Sequence, residues 1–326
     1  MKAGLLGCGN WGRNHGRVLA RHGVLAAVAD ISQPLAAETA DKFGVTAMSP
    51  GDMLADPSIS AIVIAVDPRL HSALAIQALQ AGKHILVEKP IALSAHDAAR
   101  VRDAAERAGR IAMTGHILRY NPAFEQLLEL VSAGTLGRLQ FASATRKGFG
   151  KFFPGVSAIW DLAPHDLSMI LPLIGRAPRA AWGRASCIHT DDHDAAELRF
   201  DFGDDFGAVI HLSRVSRVKE RRLEVKGTLG TAVFDELAPS HERLMLSNGG
   251  EPPMPVAFHE TEPLDAELRH FIDCIAAGRA PLTGAAHGHD VLKIIEGMAL
   301  DNVPASLLPK TLQTTSPVQG KQAAAS

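Results

Sequence analysis

At 326 residues, with 46% hydrophobic and 21% charged residues and a formal charge of -2, the chain has the balance of a soluble protein of about two domains. The near-neutral charge gives no general reason to expect nucleic acid or an anionic membrane as partner, and no apolar run reaches the ~20 residues that span a bilayer. Cys8, Cys187 and Cys274 are widely spaced, which speaks against a disulfide framework or a cysteine metal site and for a reducing compartment. The first strand starts by Ala3 and leaves no room for a secretory leader, so the expected location is the cytoplasm.

Lys2 to Gly7 reads as a short apolar strand, and Gly7-Cys8-Gly9-Asn10-Trp11-Gly12 follows it directly before a helical run that stops at Gly23. A G-x-G-x-x-G between strand and helix sets backbone N–H groups and a helix N-terminus where a pyrophosphate would lie; the same hexapeptide also makes a glycine-rich turn with no ligand. Val24 to Ala29 is a second strand ending in Asp30, eighteen residues after Gly12. An acid there suits the adenosine ribose hydroxyls and repels a 2′-phosphate, which favours NAD over NADP. It also suits the start of the helical run at Ser32 and Gln33. Ile59 to Val66 is a continuous apolar strand broken by Asp67-Pro68, and His71 to Ala81 is a helix ending at Gly82. His71 either lies toward a nicotinamide or caps that helix. His84 to Val87 forms the next strand, closed by Glu88-Lys89-Pro90; a helix from Ser94 to Ala108 and a strand from Ile111 to Thr114 follow. Repeated β-α units of this kind predict a doubly wound parallel sheet, whose ligands sit beyond the carboxyl ends of the strands. Lys89 stands at such an end, beside a proline of locked φ.

From Leu136 the periodicity shifts towards two. Gln140 to Lys147, Ala195 to Phe202, Gly207 to Arg214, Arg222 to Lys226 and Thr231 to Asp235 alternate apolar and polar residues, which suits an antiparallel sheet with one covered face. Lys219 to Arg222 reads as an exposed strand edge. A helix over Asp161 to Ile174 puts Asp161 and His165 on one face, with Pro164 in its first turn. Gly288 to Asn302 reads as a helix, and the Pro/Gln/Thr/Ala-rich segment 304–326 as a flexible tail. Fifteen histidines include no His-Glu-x-x-His, so a zinc hydrolase is weakly supported and no metal is expected.

The glycine loop, Asp30, Glu88-Lys89-Pro90 and Asp161-Leu162-Ala163-Pro164-His165-Asp166 together resemble the glucose–fructose oxidoreductase/inositol dehydrogenase/MocA family, over residues 1–303. The resemblance implies an NAD-binding Rossmann domain over 1–118. It also implies a substrate-binding and oligomerisation domain over 119–303, α+β with a large, mostly antiparallel sheet and a last helix packed near the first domain. Gly7, Gly9, Asn10, Trp11, Gly12, Asp30, His71, Glu88 and Lys89 would hold NAD. Catalysis would fall to Lys89 and His165, with Asp161 orienting the imidazole. Gly115-His116-Ile117-Leu118-Arg119-Tyr120-Asn121-Pro122 and Ile159-Trp160-Asp161 look like the branch acting on UDP-linked N-acetyl amino sugars, UDP-N-acetylglucosamine first. Its members oxidise the sugar 3-hydroxyl to a ketone that an aminotransferase then consumes, in lipopolysaccharide or lipid A amino-sugar biosynthesis. Such a substrate carries two phosphates, for which Arg119, Arg146, Lys147 and Lys151 are candidates, with Asn121 for a sugar contact alongside Asp161 and His165; each cation is equally at home as a solvated charge. Asp67 departs from the family pattern. The alternatives are a family dehydrogenase of a free sugar or inositol, and a non-catalytic NAD-binding regulator, against which the presence of both Lys89 and His165 argues.

Overall fold

A computed structural model describes residues 1–150, 152 and 155–302. Lys151 and the 304–326 segment lie outside the described residues. In chain order the elements are β1 Ala3–Leu6, α1 Asn10–Arg21, β2 Leu25–Ala29, α2 Gln33–Phe43, β3 Thr46–Ala47, α3 Pro50–Ala55, β4 Ala61–Ile64, α4 His71–Gln80, β5 His84–Glu88, α5 Ala95–Ala108, β6 Ala112–Gly115 and α6 Pro122–Ser132. They continue as β7 Leu139–Phe149, α7 Ala158–Ile174, β8 Ala180–Ser186, β9 Ala195–Gly203, β10 Phe206–Ser213, β11 Val215–Gly227, β12 Gly230–Asp235, β13 Leu244–Asn248, β14 Met254–Pro255, α8 Pro263–Ala277, α9 Ala285–Glu296 and β15 Ala299–Asn302.

Two compact units emerge. The first holds residues 1–135, 167–177 and 255–297. Its sheet runs β3-β2-β1-β4-β5-β6, with every neighbouring pair parallel. This is the expected doubly wound order, with its switch between β1 and β4. Strand β4 is buried along its whole length because helices cover both faces, which is why its sequence is an unbroken apolar run. Segment 255–297 enters this unit for two reasons. Leu264, Leu268 and Phe271 of α8 join Val18, Leu19, Met113 and Tyr120 in one core. The chain at Thr283–Gly284 also pairs with the open edge of β6, Thr283 O accepting from Thr114 N at 2.7 Å. The contacts therefore do not divide the chain at residue 118, since 119–135 and 255–297 cluster with the parallel sheet.

The second unit holds residues 136–166, 178–254 and the strand after 297. Its nine strands run β14-β13-β12-β11-β7-β10-β9-β8-β15. Pairs β10–β7 and β15–β8 are parallel, and β10–β9, β11–β12, β11–β7, β12–β13 and β8–β9 antiparallel, so the sheet is mixed and mostly antiparallel. Two expectations change here. Lys219 to Arg222 lie in β11, which stands between β12 and β7 and is no edge; Lys219 itself falls in the irregular stretch of the ladder with β7. The helix expected to run to Asn302 stops at Glu296, Gly297 closes it, and Ala299–Asn302 pairs with β8.

Candidate active site

In the first unit, β1 delivers the glycine loop. Gly7 holds φ at +97°, and a Cβ there would lie 2.4 Å from the Ala65 carbonyl oxygen, so only glycine fits. Cys8 N donates to Asp30 Oδ2 at 2.7 Å, tying the loop to the end of β2. Gly9 is the N-cap of α1, offers no side chain to the first-turn N–H groups, and has open space where a Cβ would stand. Those N–H groups have no partner within the helix, and Asn10 and Trp11 of that turn are exposed. Gly12 is buried under the loop, where a Cβ would meet Gly7 O at 1.8 Å. An open cradle of backbone donors at a helix N-terminus is what an anionic pyrophosphate requires, so these residues fit a dinucleotide. Asp30 spends part of its carboxylate locally, Oδ2 on Cys8 N and Oδ1 on Ser32 N at 2.8 Å; Ser32, not Asp30, is the cap of α2.

Strand β5 ends in Glu88, and Lys89 follows at its carboxyl end. The Glu88 carboxylate accepts from Lys89 N at 3.2 Å and lies 2.7 Å from His15 Nε2, which rises from α1 and is fully buried. Burial pushes the Glu88 pKa up, but the His15 hydrogen bond and the charges around it outweigh this and hold it below the usual carboxylate range. Gly115 on β6 makes room, since a Cβ there would come within 3.3 Å of that carboxylate. Glu88 thus braces the glycine-loop helix against the lysine. His71 does not cap its helix, whose N-cap is Leu70. It is buried, with Nδ1 2.8 Å from Pro90 O and Nε2 3.1 Å from Val66 O, so it bridges the chain beyond β4 and β5. Asp67 turns back on Arg69, accepting at 2.9 Å from Nε and 2.6 Å from Nη2, and this pairing drops its pKa to about 2.

Beyond β6 the chain carries His116 and Arg119, both buried, and Asn121. Asn121 caps α6, its Oδ1 accepting from Ala123 N at 3.1 Å, and is 6% exposed, so its side-chain oxygen is held by the helix it starts. His116 packs edge-on against His287 of α9, with ring centroids 5.3 Å apart. Burial first, and the Arg119 charge second, lower the His287 pKa to about 4. From α8, the fully buried Glu267 has its pKa raised well above the ordinary carboxylate value, by burial first and by the nearby Glu88 second. Acid stability follows from His287. Below the ordinary imidazole value the unfolded chain takes up a proton that the folded ring refuses, so stability falls between pH ~6.5 and ~4. At pH 5 this ring alone is expected to cost roughly 2 kcal/mol relative to neutral pH. Melting at pH 7 and pH 5 for wild type and His287→Gln checks it: the variant should lose less stability on acidification.

In the second unit, Arg146 corrects a sequence expectation. It is 2% exposed, and its Nε and Nη2 each donate to Asp166 at 2.9 Å, with Nη2 also 2.5 Å from Glu236 Oε1. Burial pulls the guanidinium pKa down, and the two facing carboxylates outweigh it and keep Arg146 charged. A neutralised, enclosed cation is not a partner for substrate phosphates. Lys147 pairs with Glu220 at 2.9 Å on the surface. Asp161 and His165 share one face of α7, four residues apart. The helix starts at Ala158, so Pro164 sits inside it rather than in its first turn and removes the bond to the Trp160 carbonyl. The early start has a cause in Asp194 and Arg214, which pair at 2.7 Å and are both buried. Arg214 Nη1 donates to Val156 O at 2.6 Å and Ala158 N donates to His193 O at 2.7 Å, so this pair anchors the segment that carries Asp161 and His165. Three backbone N–H groups, of Ile188, His189 and Thr190, converge on Asp194 Oδ2. The Asp194–Arg214 pair, like His15, His116, His287 and Glu267, carries no local sequence signal. Each is defined by a partner far along the chain.

Among the described residues, no cluster of His, Cys, Asp and Glu is placed to hold a metal ion, and no helix is long and apolar enough to cross a membrane. A family model described as an oxidoreductase family with an NAD-binding Rossmann fold matches residues 1–116, and the GFO/IDH/MocA C-terminal domain model matches residues 124–233. UDP-N-acetylglucosamine 3-dehydrogenase of Acidithiobacillus ferrooxidans is 30% identical over 301 residues, covering 90% of this chain and 94% of the relative. A solved structure of that name and organism superposes with a TM-score of 0.83 at 28% identity, covering 91% of this chain and 96% of its own. The scyllo-inositol 2-dehydrogenase (NAD(+)) of Bacillus subtilis is 26% identical over 303 residues, covering 86% of this chain and 88% of its own.

Proposed function

The chain belongs to the GFO/IDH/MocA oxidoreductase family and carries its NAD-binding Rossmann domain, and from that premise we propose that it oxidises the 3-hydroxyl of a UDP-linked N-acetyl amino sugar, UDP-N-acetylglucosamine first, to the 3-keto sugar. The observation that carries the dehydrogenase reading is Lys89 at the carboxyl end of β5, braced through Glu88 to the helix of the dinucleotide loop. The likeness to the Acidithiobacillus enzyme supports the substrate. Bound NAD⁺ supplies the hydride acceptor. Gly7 to Gly12, with Asn10 and Trp11, would hold its pyrophosphate, and Asp30 its ribose; the Asp30 charge makes NADP a poor replacement. His165 would take the hydroxyl proton, histidine being a side chain suited to general-base work near neutral pH. Asp161 would orient it, and Lys89, in the first unit, would donate a hydrogen bond to a substrate oxygen as negative charge develops there. The ketone product then suits an aminotransferase.

A second reading, oxidation of a free polyol such as inositol, draws on the Bacillus relative and on Arg146, whose charge is already met by Asp166 and Glu236. One assay separates the two. The protein is incubated with NAD⁺ or NADP⁺ and a panel of UDP-sugars, free sugars and inositols while NADH absorbance is followed, with an aminotransferase present to draw off ketone. Turnover of UDP-N-acetylglucosamine with NAD⁺ is expected. Turnover of inositol alone would move the reading to the polyol, and tight NAD binding without turnover of any of them would leave a regulator.

The open face of the second unit's sheet carries Phe141 and Trp182, 43% and 44% exposed, beside Val209 and His211. Large apolar side chains exposed on a sheet face are disfavoured against water, which supports a homo-oligomer formed through this face. Light scattering on wild type is expected to give at least a dimer, and the Phe141→Lys, Trp182→Glu double variant a folded monomer; a monomeric wild type refutes the assignment.

A further inference from the structure

Arg119 is 8% exposed and forms no ion pair with a carboxylate among the described residues. Its Nη1 donates to Ser168 O at 3.3 Å, its guanidinium lies 5.8 Å over the Phe124 ring, and its Nε has no hydrogen-bond partner among the described residues. Buried cations are ordinarily neutralised by an opposite charge, so an enclosed guanidinium without one is a physical anomaly. It does not stand alone. Both ring nitrogens of His116, Nε2 of His287 and Oγ1 of Thr114 are also buried without partners. These groups lie near one another: His116 and His287 are in ring contact at 5.3 Å, and the Arg119 charge acts on both rings. Gly288 keeps the α9 backbone close to Thr114, whose Oγ1 would stand 2.4 Å from a Cβ at that position.

The carboxylates that act on this group are Glu125 on Arg119 and Asp290 on His287, and neither forms an ion pair with it. The Lys89 and Arg119 charges both bear on His116, while the Glu88 carboxylate lies beside the intervening Gly115. Five unpartnered polar atoms around one unpaired buried cation call for a ligand that accepts hydrogen bonds and carries about one negative charge. A diphosphate, with about two charges, exceeds what one guanidinium neutralises, whereas a carboxylate matches it in charge and in planar shape.

We propose that Arg119, His116, His287 and Thr114 form a buried subsite for a carboxylate-sized monoanion near Lys89, a group that UDP-N-acetylglucosamine lacks, so that the subsite would select a carboxylate-bearing member of that substrate class. The placement beside the substrate rests on the dehydrogenase reading; the anion site does not. Formate is the probe, with formamide as its neutral counterpart. In wild type, formate is expected to move the histidine side-chain NMR signals of His116 and His287 saturably and to raise the melting temperature, and formamide to do neither. Arg119→Gln is expected to weaken formate at least tenfold and His287→Gln several-fold; the second keeps the guanidinium and guards against a variant that fails to fold. Absent or unsaturable formate shifts in wild type would overturn the subsite and leave the buried atoms to ordered water. In that case Arg119→Met would also raise the melting temperature, since it removes an uncompensated buried charge. Formate binding without oxidation of any sugar would instead overturn the reaction and leave the anion site standing.

Discussion

Lys89→Ala is expected to reduce kcat by about a thousandfold while NADH affinity changes by no more than about threefold. The size comes from the work assigned to the ammonium: a positioned donor or proton carrier at the reacting oxygen contributes roughly two to four orders of magnitude. The small effect on cofactor follows from geometry. The cradle for the dinucleotide is backbone at Gly7 to Gly12, and the Glu88–His15 contact that braces it does not pass through the Lys89 side chain. Stopped-flow turnover and fluorescence titration of NADH measure the two quantities on one preparation. An equal loss of both would make Lys89 a cofactor ligand and remove it from the chemistry. Glu88→Gln completes the comparison. It keeps an acceptor but loses the charge facing His15, and should lower kcat and NADH affinity together.

Two glycines of the same loop should separate binding from folding. A Cβ at Gly9 meets nothing within 4 Å, so Gly9→Ala is expected to melt within a few degrees of wild type. It fills the open side of the cradle where the pyrophosphate approaches backbone N–H groups, and should weaken NAD⁺ by ten- to a hundredfold. Gly12→Ala is a different lesion. Its Cβ would stand 1.8 Å from the Gly7 carbonyl oxygen, a backbone atom of a loop also held by Cys8 N on Asp30. The loop must move, with an expected cost of roughly 1–3 kcal/mol in stability as well as loss of cofactor binding. Calorimetric melting with and without NAD⁺ distinguishes the pair, because ligand bound to the native state raises the melting temperature only where the site survives. Equal melting temperatures and equal NAD⁺ affinities for the two variants would refute this division.

Much of the first unit is legible in the chain because its signals are local. A parallel strand buried on both faces must be apolar throughout, so Ala61–Ile64 announces itself, and a glycine loop needs its glycines within six residues. The second sheet is less so. The strands Ala180–Ser186 and Leu244–Asn248 pass unnoticed because alanine, glycine, serine and asparagine carry little strand preference, and their place is set by neighbours already in the sheet. Val215–Gly227 shows the reverse: its charged centre looks like an edge, yet β7 and β12 flank it. Helix starts are decided at a distance as well. Nothing near Ala158 says that Arg214 and His193 will hold its first turn and leave Pro164 inside the helix.

By itself the sequence determined the dinucleotide loop, the order of the β-α units, Lys89 at a strand end and the Asp161–His165 spacing. Each depends on residues close together in the chain, through φ preference, burial period or helical pitch. The tertiary structure alone decided what charges and rings meet. It gave Arg146 to Asp166 and Glu236, Asn121 to a helix cap and His71 to two carbonyls, and it set His15 under Glu88. It also left Arg119 enclosed without a counter-charge. Charge pairing depends on distance and burial, and for residues 73 or 90 positions apart these exist only once the chain has folded.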